Sequence, residues 1–492
     1  MIPPIYLVVV PLLCGGLNVI FRQARIRQSI SLVAGVFMLV SSALLLCQTL
    51  SGEIVVYRLG GWRAPTGIVL AVDNLSSTVS LLVSLLGLLA IAYSISYTRE
   101  FTGRVQYDSL LMFLLAGMQG VVLTGDLFNM FVFFEILFIS SYALVGFLRG
   151  STELRASFKY AILSMVGMSF FLLGIGILYE FTGNLNLAYI AQGLKAMAPI
   201  APRTLPIFGF ISLAVGLGVG SSIVPLHTWL PDAHPAAPSP ISALLSGVVV
   251  KVAFYAILRV GCTVFGLDYI SLLKPTLLAL GMLTMVVGAM LALIQTDLKR
   301  FLAYSTVGSM GYLVVGLGAG ELGLQGSIFH LLNHALAKAM LFFIAGCLIH
   351  RVGTRDMRRM GGLLNVAPAE AATFLLGGLA VTGVPPCNGF FSKLLIYEAL
   401  YQNGQWVPLV VSIGTSIFFL AIYLRVFQLV FLGKGRGPSG NMRMPGTMLG
   451  PVLLLSALIL LIGLYPQPLL DLTSRISHQL LNPSEYITEV MR

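Results

Sequence analysis

Apolar runs long enough to cross a lipid bilayer recur along this chain from residue 3 to residue 465, and nothing else in it constrains the fold as strongly. A hydrocarbon core of about 30 Å takes roughly 20 apolar residues as helix. Inside that core every backbone N–H and C=O must find a partner within the segment or in a neighbouring one, which leaves packed helices as the solution for so many consecutive runs. Charged residues make up only 10% of the 492, against about 25% in average soluble domains, so an ordinary soluble enzyme is excluded. The chain reads as an all-α polytopic membrane protein of about fourteen spans.

The spans are expected near residues 3–21, 29–49, 73–97, 108–125, 127–148, 160–180, 206–229, 240–265, 275–295, 301–319, 323–349, 370–395, 407–432 and 447–465. Met1 to Ile20 lacks the basic leader and cleavage site of a signal peptide and reads as the first span. The net charge of +11 would suggest nucleic acid in a soluble protein; here the positive-inside rule accounts for it. Loops after odd-numbered spans hold seventeen Lys and Arg, Lys434, Arg436 and Arg443 among them, and the opposite loops hold seven, including Arg203. Both termini are therefore expected on the non-cytoplasmic side of the cell membrane. Cys14, Cys47, Cys262, Cys347 and Cys387 lie in apolar surroundings without CxxC spacing, so neither a disulfide frame nor a zinc or iron–sulfur site follows. No nucleotide, flavin or haem signature is visible, and no cofactor is expected in this chain.

Two spans carry interruptions. The seventh breaks over Gly220, Ser221, Ser222 and Pro225 and continues through His227 to the Pro-Asp-Ala-His cluster that holds Asp232 and His234. The twelfth breaks over Gly383, Pro385, Pro386 and Gly389. Unwound backbone at membrane depth is tolerated where it lines a wet cavity, and matched breaks in corresponding spans point to repeats with a site between them. The expected organisation is three leading helices (1–106), a first five-helix repeat (107–265), an inverted second one (266–432), and a final helix with an amphipathic tail (433–492).

Cations follow both breaks. Lys251 lies eleven residues into an apolar helix that opens at Pro240, about 16 Å deep at 1.5 Å per residue, near mid-membrane. Lys393 sits one turn beyond Gly389, where it could exchange protons with water at the break or snorkel to the membrane surface. In the eleventh span His330, His334 and Lys338 recur at steps of four, which places them on one broad helix face. Histidine titrates near neutrality and suits a proton relay; metal binding and plain packing are the alternatives. Glu135, among phenylalanines in the fifth span, is costly in lipid and expected to face the bundle interior, either titrating or serving as a fixed anchor.

The stretch Pro225-Leu226-His227-Thr228-Trp229-Leu230-Pro231-Asp232-Ala233-His234, continuing to Pro238-Ser239-Pro240-Ile241-Ser242, resembles the antiporter-like subunits. These are the D-type component of Mrp-type antiporters, the large membrane components of complex I and their counterparts in membrane-bound hydrogenases. The resemblance spans most of the chain and implies a proton-translocating subunit that works with other membrane subunits on protons and, in some relatives, sodium. By that similarity Glu135 matches the family's fifth-span glutamate, Lys251 its central lysine, Lys393 its terminal lysine, and His330, His334 and Lys338 the connecting relay. One position departs from the pattern: the family's seventh-span lysine falls on Gly220. Either another cation serves Glu135 or this half couples differently. His227 and the Leu230-Pro231-Asp232-Ala233-His234 run favour a proton-translocating subunit of a complex I-related or membrane-bound hydrogenase assembly; the alternatives are a cation/proton antiporter subunit without a redox partner and a structural subunit with a disabled channel. A proton crossing 100 mV needs about 2.3 kcal/mol, which opening and closing of an ion pair beside Lys251 could supply.

Overall fold

The computed structural model describes residues 3–99, 104–197, 204–433 and 444–492; Arg203, Lys434, Arg436 and Arg443 of the charge count lie outside them. Helices α1 (Tyr6–Ile20) and α2 (Ala24–Leu50) form a hairpin over the basic turn, where Arg27 Nε meets Asp108 at 3.0 Å. The next segment departs from an all-α chain. Strands β1 (Val55–Arg58) and β2 (Val69–Val72) pair antiparallel in the register Val55↔Val72 to Arg58↔Val69. Their valines favour a pleated, half-buried surface, and Val69 and Ala71 pack with Ala188, Tyr486 and Val490 in a small apolar cluster at this end of the bundle.

Helix α3 (Asn74–Tyr97) opens on Asp73, whose carboxylate caps it by accepting from Ser76 N at 3.0 Å. The bundle continues through α4 (Arg104–Leu123), α5 (Leu127–Val145), α6 (Ser151–Thr182), the short α7 (Leu187–Met197) and α8 (Thr204–Gly220). After a turn come α9 (Leu230–Ala236), α10 (Ser239–Leu244) and α11 (Val250–Leu258), then α12 (Gly266–Leu293) and α13 (Leu298–Gly318). The remainder is α14 (Gly320–Val352), α15 (Pro368–Thr382), α16 (Gly389–Gln402), α17 (Trp406–Phe427), α18 (Gly446–Leu464), α19 (Gln467–Leu481) and α20 (Ser484–Met491). Among the described residues eleven helical segments are long and apolar enough to cross a membrane, and α1, α8 and α15 are shorter apolar helices. The protein is a predominantly helical polytopic membrane protein.

Both expected breaks are present. Helix α8 ends at Gly220 and regular helix resumes at Leu230; α15 ends at Thr382 and α16 begins at Gly389. Helices α10 and α11 run as one buried segment, Ser239–Phe265, through two π-turns at Leu245–Val249 and Arg259–Phe265. Such turns free carbonyls and gather at functional sites. Helix α14 is the centre of the molecule, packing on α10, α13, α15, α16, α18 and α19, with its middle turns wholly buried.

Two connections mirror one another. Asp126 caps α5 by accepting from Asn129 N (2.8 Å), and the backbone around it bonds to the segment after α6: Leu127 N to Leu185 O at 2.8 Å and Leu187 N to Gly125 O at 2.9 Å. Asp297 caps α13 by accepting from Arg300 N (3.0 Å), and its neighbours bond in the same pattern to the segment after α14: Leu298 N to Arg355 O at 3.0 Å and Met357 N to Thr296 O at 2.8 Å. The first lies beside the β-hairpin, through a Leu70–Thr124 bridge; the second lies at the basic end, where Arg300 and Arg355 sit.

Candidate functional site

A row of buried ionisable side chains runs through the middle of the bundle. Lys251 on α11 is fully buried, and its Nζ donates to the carbonyl of Ser246 inside the first π-turn. The Ser246 hydroxyl in turn meets Thr306 Oγ1 of α13 at 2.7 Å. Lys338 on α14 donates to Ser305 Oγ, to Leu302 O at 3.0 Å and to Tyr423 OH at 3.0 Å, so α13 and α17 hold its ammonium. His330 and His334 stack with ring centroids 5.6 Å apart. His330 Nδ1 reaches Ser392 Oγ at 3.1 Å, while His330 Nε2 and both nitrogens of His334 are buried with no hydrogen-bond partner among the described residues. His334 lies within electrostatic range of Lys251, Lys338 and Lys393.

The row continues to the second break. The Lys393 ammonium sits 4.3 Å from the Tyr312 ring centre, and that ring lies 5.6 Å from His330. Lys393 Nζ donates to Ser416 Oγ at 2.8 Å and to Thr382 O at 3.1 Å, the last carbonyl of α15, which the break leaves free. It lines a cavity of about 190 Å³ formed by the break and α17. The break needs its glycine. Gly383 has φ +81°, and a Cβ there would stand 2.8 Å from Lys393 Cδ. The break thus holds a cation against a cavity, instead of letting it snorkel to the surface.

Other expectations fare differently. Glu135 is only half-buried and shares the exposed stripe of α5 with Phe128, Val132 and Ile139; it makes no hydrogen bond or ion pair among the described residues. It does not face the bundle interior, because the α5 faces that pack inward are already filled by Phe134, Leu137 and Phe138. Gly220 explains the departure at the first half. A Cβ there would meet Ala253 Cβ at 2.9 Å and Phe138 at 3.2 Å, so α8 touches both α11 and α5 where a lysine would stand. Ser221 and Ser222 are buried, their hydroxyls without a hydrogen-bond partner among the described residues, and Ser222 takes the left-handed conformation (φ +55°).

His227 is buried beside Tyr304, its Nδ1 without a hydrogen-bond partner among the described residues. Asp232 lies off the row, at the basic end, between Lys159 (2.7 Å) and Arg300 (2.8 Å). Pro225, Pro385 and Pro386 lie within the breaks, past the ends of α8 and α15, and are exposed; they shape the breaks without lining the polar row. His234 belongs with the row: fully buried, it stacks on Phe342 of α14 at 4.6 Å, in electrostatic range of Lys251 and Lys338. Lys299, which falls between the expected spans 275–295 and 301–319, is buried and donates to Ala237 O at 2.8 Å.

The groups that hold these cations do not stand out in the sequence. Ser305, Thr306, Tyr312 and Tyr423 carried a weak signal, hydroxyls recurring on one face of α13 and in α17. No local pattern marks the ion pair of Arg259 with Asp73 either: both are buried, the pair is bidentate at 2.6 and 2.8 Å, and Ser76 and the Tyr486 ring lie beside the guanidinium.

The family pattern described as NADH:quinone oxidoreductase/Mrp antiporter, transmembrane, matches residues 124–419, which contain Glu135, Lys251 and Lys393. The chain belongs to that family. It is 32% identical to the D-type component of the Na(+)/H(+) antiporter of Alkalihalophilus pseudofirmus, over 99% of this chain and 98% of the relative. It is 34% identical to the N-type component of the NADH-quinone oxidoreductase of Desulforudis audaxviator, over 95% and 97%. Its fold matches a chain of the Mrp complex from Dietzia sp. with a TM-score of 0.92 at 26% identity, covering 99% of both chains. It also matches a chain of the membrane-bound sulfane sulfur reductase, an archaeal respiratory membrane complex, with a TM-score of 0.91 at 30% identity and 99% of both chains. The protein is an antiporter-like membrane subunit of the Mrp and complex I-related assemblies.

Proposed function

We propose that this subunit passes protons laterally through the membrane along the row Lys251, His334, His330 and Lys393, with Lys338 and His234 beside it, and that Lys393 delivers them at the break before α16. The observation that carries the reading is the run of contacts from His334 to Lys393, the stacked His330–His334 rings and then the Tyr312 ring under the Lys393 ammonium, with the buried Lys251 ammonium close enough to act electrostatically on His334. Ionisable groups at membrane depth are costly and are retained where ions move. Histidines with unbonded ring nitrogens can accept and return a proton. The driving partner is another subunit of a larger complex, since this chain carries no redox signature; protons, with sodium as a second ion in an antiporter setting, are the cargo. Lys251→Ala tests the proposal: vesicles with the assembled complex should lose ion translocation while pull-down shows normal assembly. Wild-type translocation by that variant would leave Lys251 a structural residue.

The fourteen-span, inverted-repeat architecture belongs to the same proposal. Eleven long and three short apolar helices sum to fourteen. The matched caps at Asp126 and Asp297, at opposite ends of the bundle, support repeats over 107–265 and 266–432, with helices 1–106 leading and 433–492 closing. An even number of spans puts both termini on one side, and the charge bias puts that side away from the cytoplasm.

A second reading applies to the first repeat alone. Gly220 closes the space between α5 and α11, and Glu135 faces outward without a cation of its own. In that reading the first half-channel is inactive. Glu135→Gln then translocates as well as the unaltered protein; if Glu135 titrates with a cation from a neighbouring subunit, Glu135→Gln fails while Glu135→Asp retains part of the activity.

A further inference from the structure

At the basic end of the bundle a cavity and a groove share a wall. The first, of about 370 Å³, lies between the N-terminus of α6, α9 and the start of α13, and four cations line it: Arg155, Lys159, Arg300 and Arg355. Three carboxylates stand against them, Glu153, Asp232 and Asp297. Asp232 is shared by Lys159 and Arg300, and Asp297 pairs with Arg355 at 3.3 Å. Four cations against three anions leave one positive charge over. Arg155 makes no hydrogen bond or ion pair among the described residues, and Arg300 Nε is buried without an acceptor. The first turn of α6 has no side-chain cap, so its backbone N–H groups and the helix dipole add to the attraction for an anion.

The second is an open groove on the outer face of α6 that begins at the same Arg155 and Lys159 and passes Leu154, Phe158 and Ile162. Those three are half to nearly three-quarters exposed. From Leu154 to Ile162 the groove descends about 12 Å along the helix, the direction in which the chain enters hydrocarbon. A cationic pocket opening downward into an apolar groove has the layout of a phospholipid: one phosphodiester charge above, acyl chains below. Basic pockets between transmembrane helices bind anionic headgroups, each nearby Lys or Arg adding to the affinity.

We propose that this cavity and groove together are a specific site for one anionic phospholipid, its headgroup phosphate beside Arg155, Lys159 and Arg300 and an acyl chain along Leu154, Phe158 and Ile162. The site lies apart from the row of buried ionisable groups and does not depend on proton movement.

The test uses the intact membrane complex containing the full chain. Native mass spectrometry in mild detergent should detect one phosphatidylglycerol or cardiolipin per copy that Arg155→Ala/Phe158→Ala lacks. Both substituted side chains are exposed, so assembly should be unaltered. In vesicles of phosphatidylethanolamine doped with brominated phosphatidylglycerol, a tryptophan introduced as Ile162→Trp should be quenched by the brominated anionic lipid in preference to brominated phosphatidylethanolamine. Arg155→Ala should weaken that quenching about fivefold. Equal quenching by both lipids, an unchanged anionic-lipid count in the double variant, or displacement by millimolar inorganic phosphate would each overturn the proposal. The last would make this a free-anion site, and cross-linking of Ile162→Cys to another subunit would make it a protein interface.

Discussion

Lys393 shows how much a single side chain's surroundings decide. From sequence it could have been an outlet or a snorkelling anchor. The structure buries it against Tyr312 and the carbonyl of Thr382, with a cavity at the break. If it is the outlet, Lys393→Met should stop translocation at normal complex yield, measured as proton uptake in reconstituted vesicles; near-normal uptake would return it to a structural role. Gly383→Ala should impair the same step although Lys393 itself is unaltered, because the new methyl pushes the lysine stem off its acceptors and the left-handed backbone is strained. Tyr423→Phe removes one of three acceptors around the Lys338 ammonium. It should slow translocation without abolishing it, since Ser305 and Leu302 remain. The lysines and histidines were legible because ionisable residues stand out in apolar runs. Their hydroxyl and carbonyl partners were not, because Ser, Thr and Tyr are ordinary in such helices.

At the scale of elements, the breaks in α8 and α15 were readable because proline removes a donor and glycine admits φ values that other residues resist. The π-turns flanking Lys251 were not: Leu245–Val249 and Arg259–Phe265 each hold one glycine and no proline, and an isolated glycine inside an apolar helix does not mark a π-turn. The Asp73–Arg259 pair ties α3 to the second π-turn and, through the Tyr486 ring, to the terminal α20. Asp73→Ala leaves a guanidinium buried without its carboxylate, and breaking a buried pair from one side costs about 3–5 kcal/mol. Thermal unfolding of the detergent-solubilised complex should register that loss, and Asp73→Ala/Arg259→Met should recover part of it. A double variant no more stable than Asp73→Ala would show that the pair contributes something other than charge neutralisation.

For the whole molecule, the expected arrangement makes a prediction about sidedness. With a membrane-impermeant maleimide added to intact cells expressing an otherwise cysteine-free chain, Trp62→Cys at the exposed hairpin should label and Arg25→Cys in the basic turn should not. The reverse pattern would invert the proposed topology. Hydropathy and the placement of glycine, proline and charge by themselves determined that the chain is a helical membrane protein, where two helices break, and which lysines and histidines lie deep. Each follows from the cost of exposing backbone and charge to lipid, a cost that acts residue by residue. Only the tertiary structure decided which way those groups face: Glu135 outward on α5, Lys299 and His234 inward, Gly220 pressed against Ala253 and Phe138. Facing is fixed by contacts between helices far apart in the chain, and no local pattern in the sequence carries them.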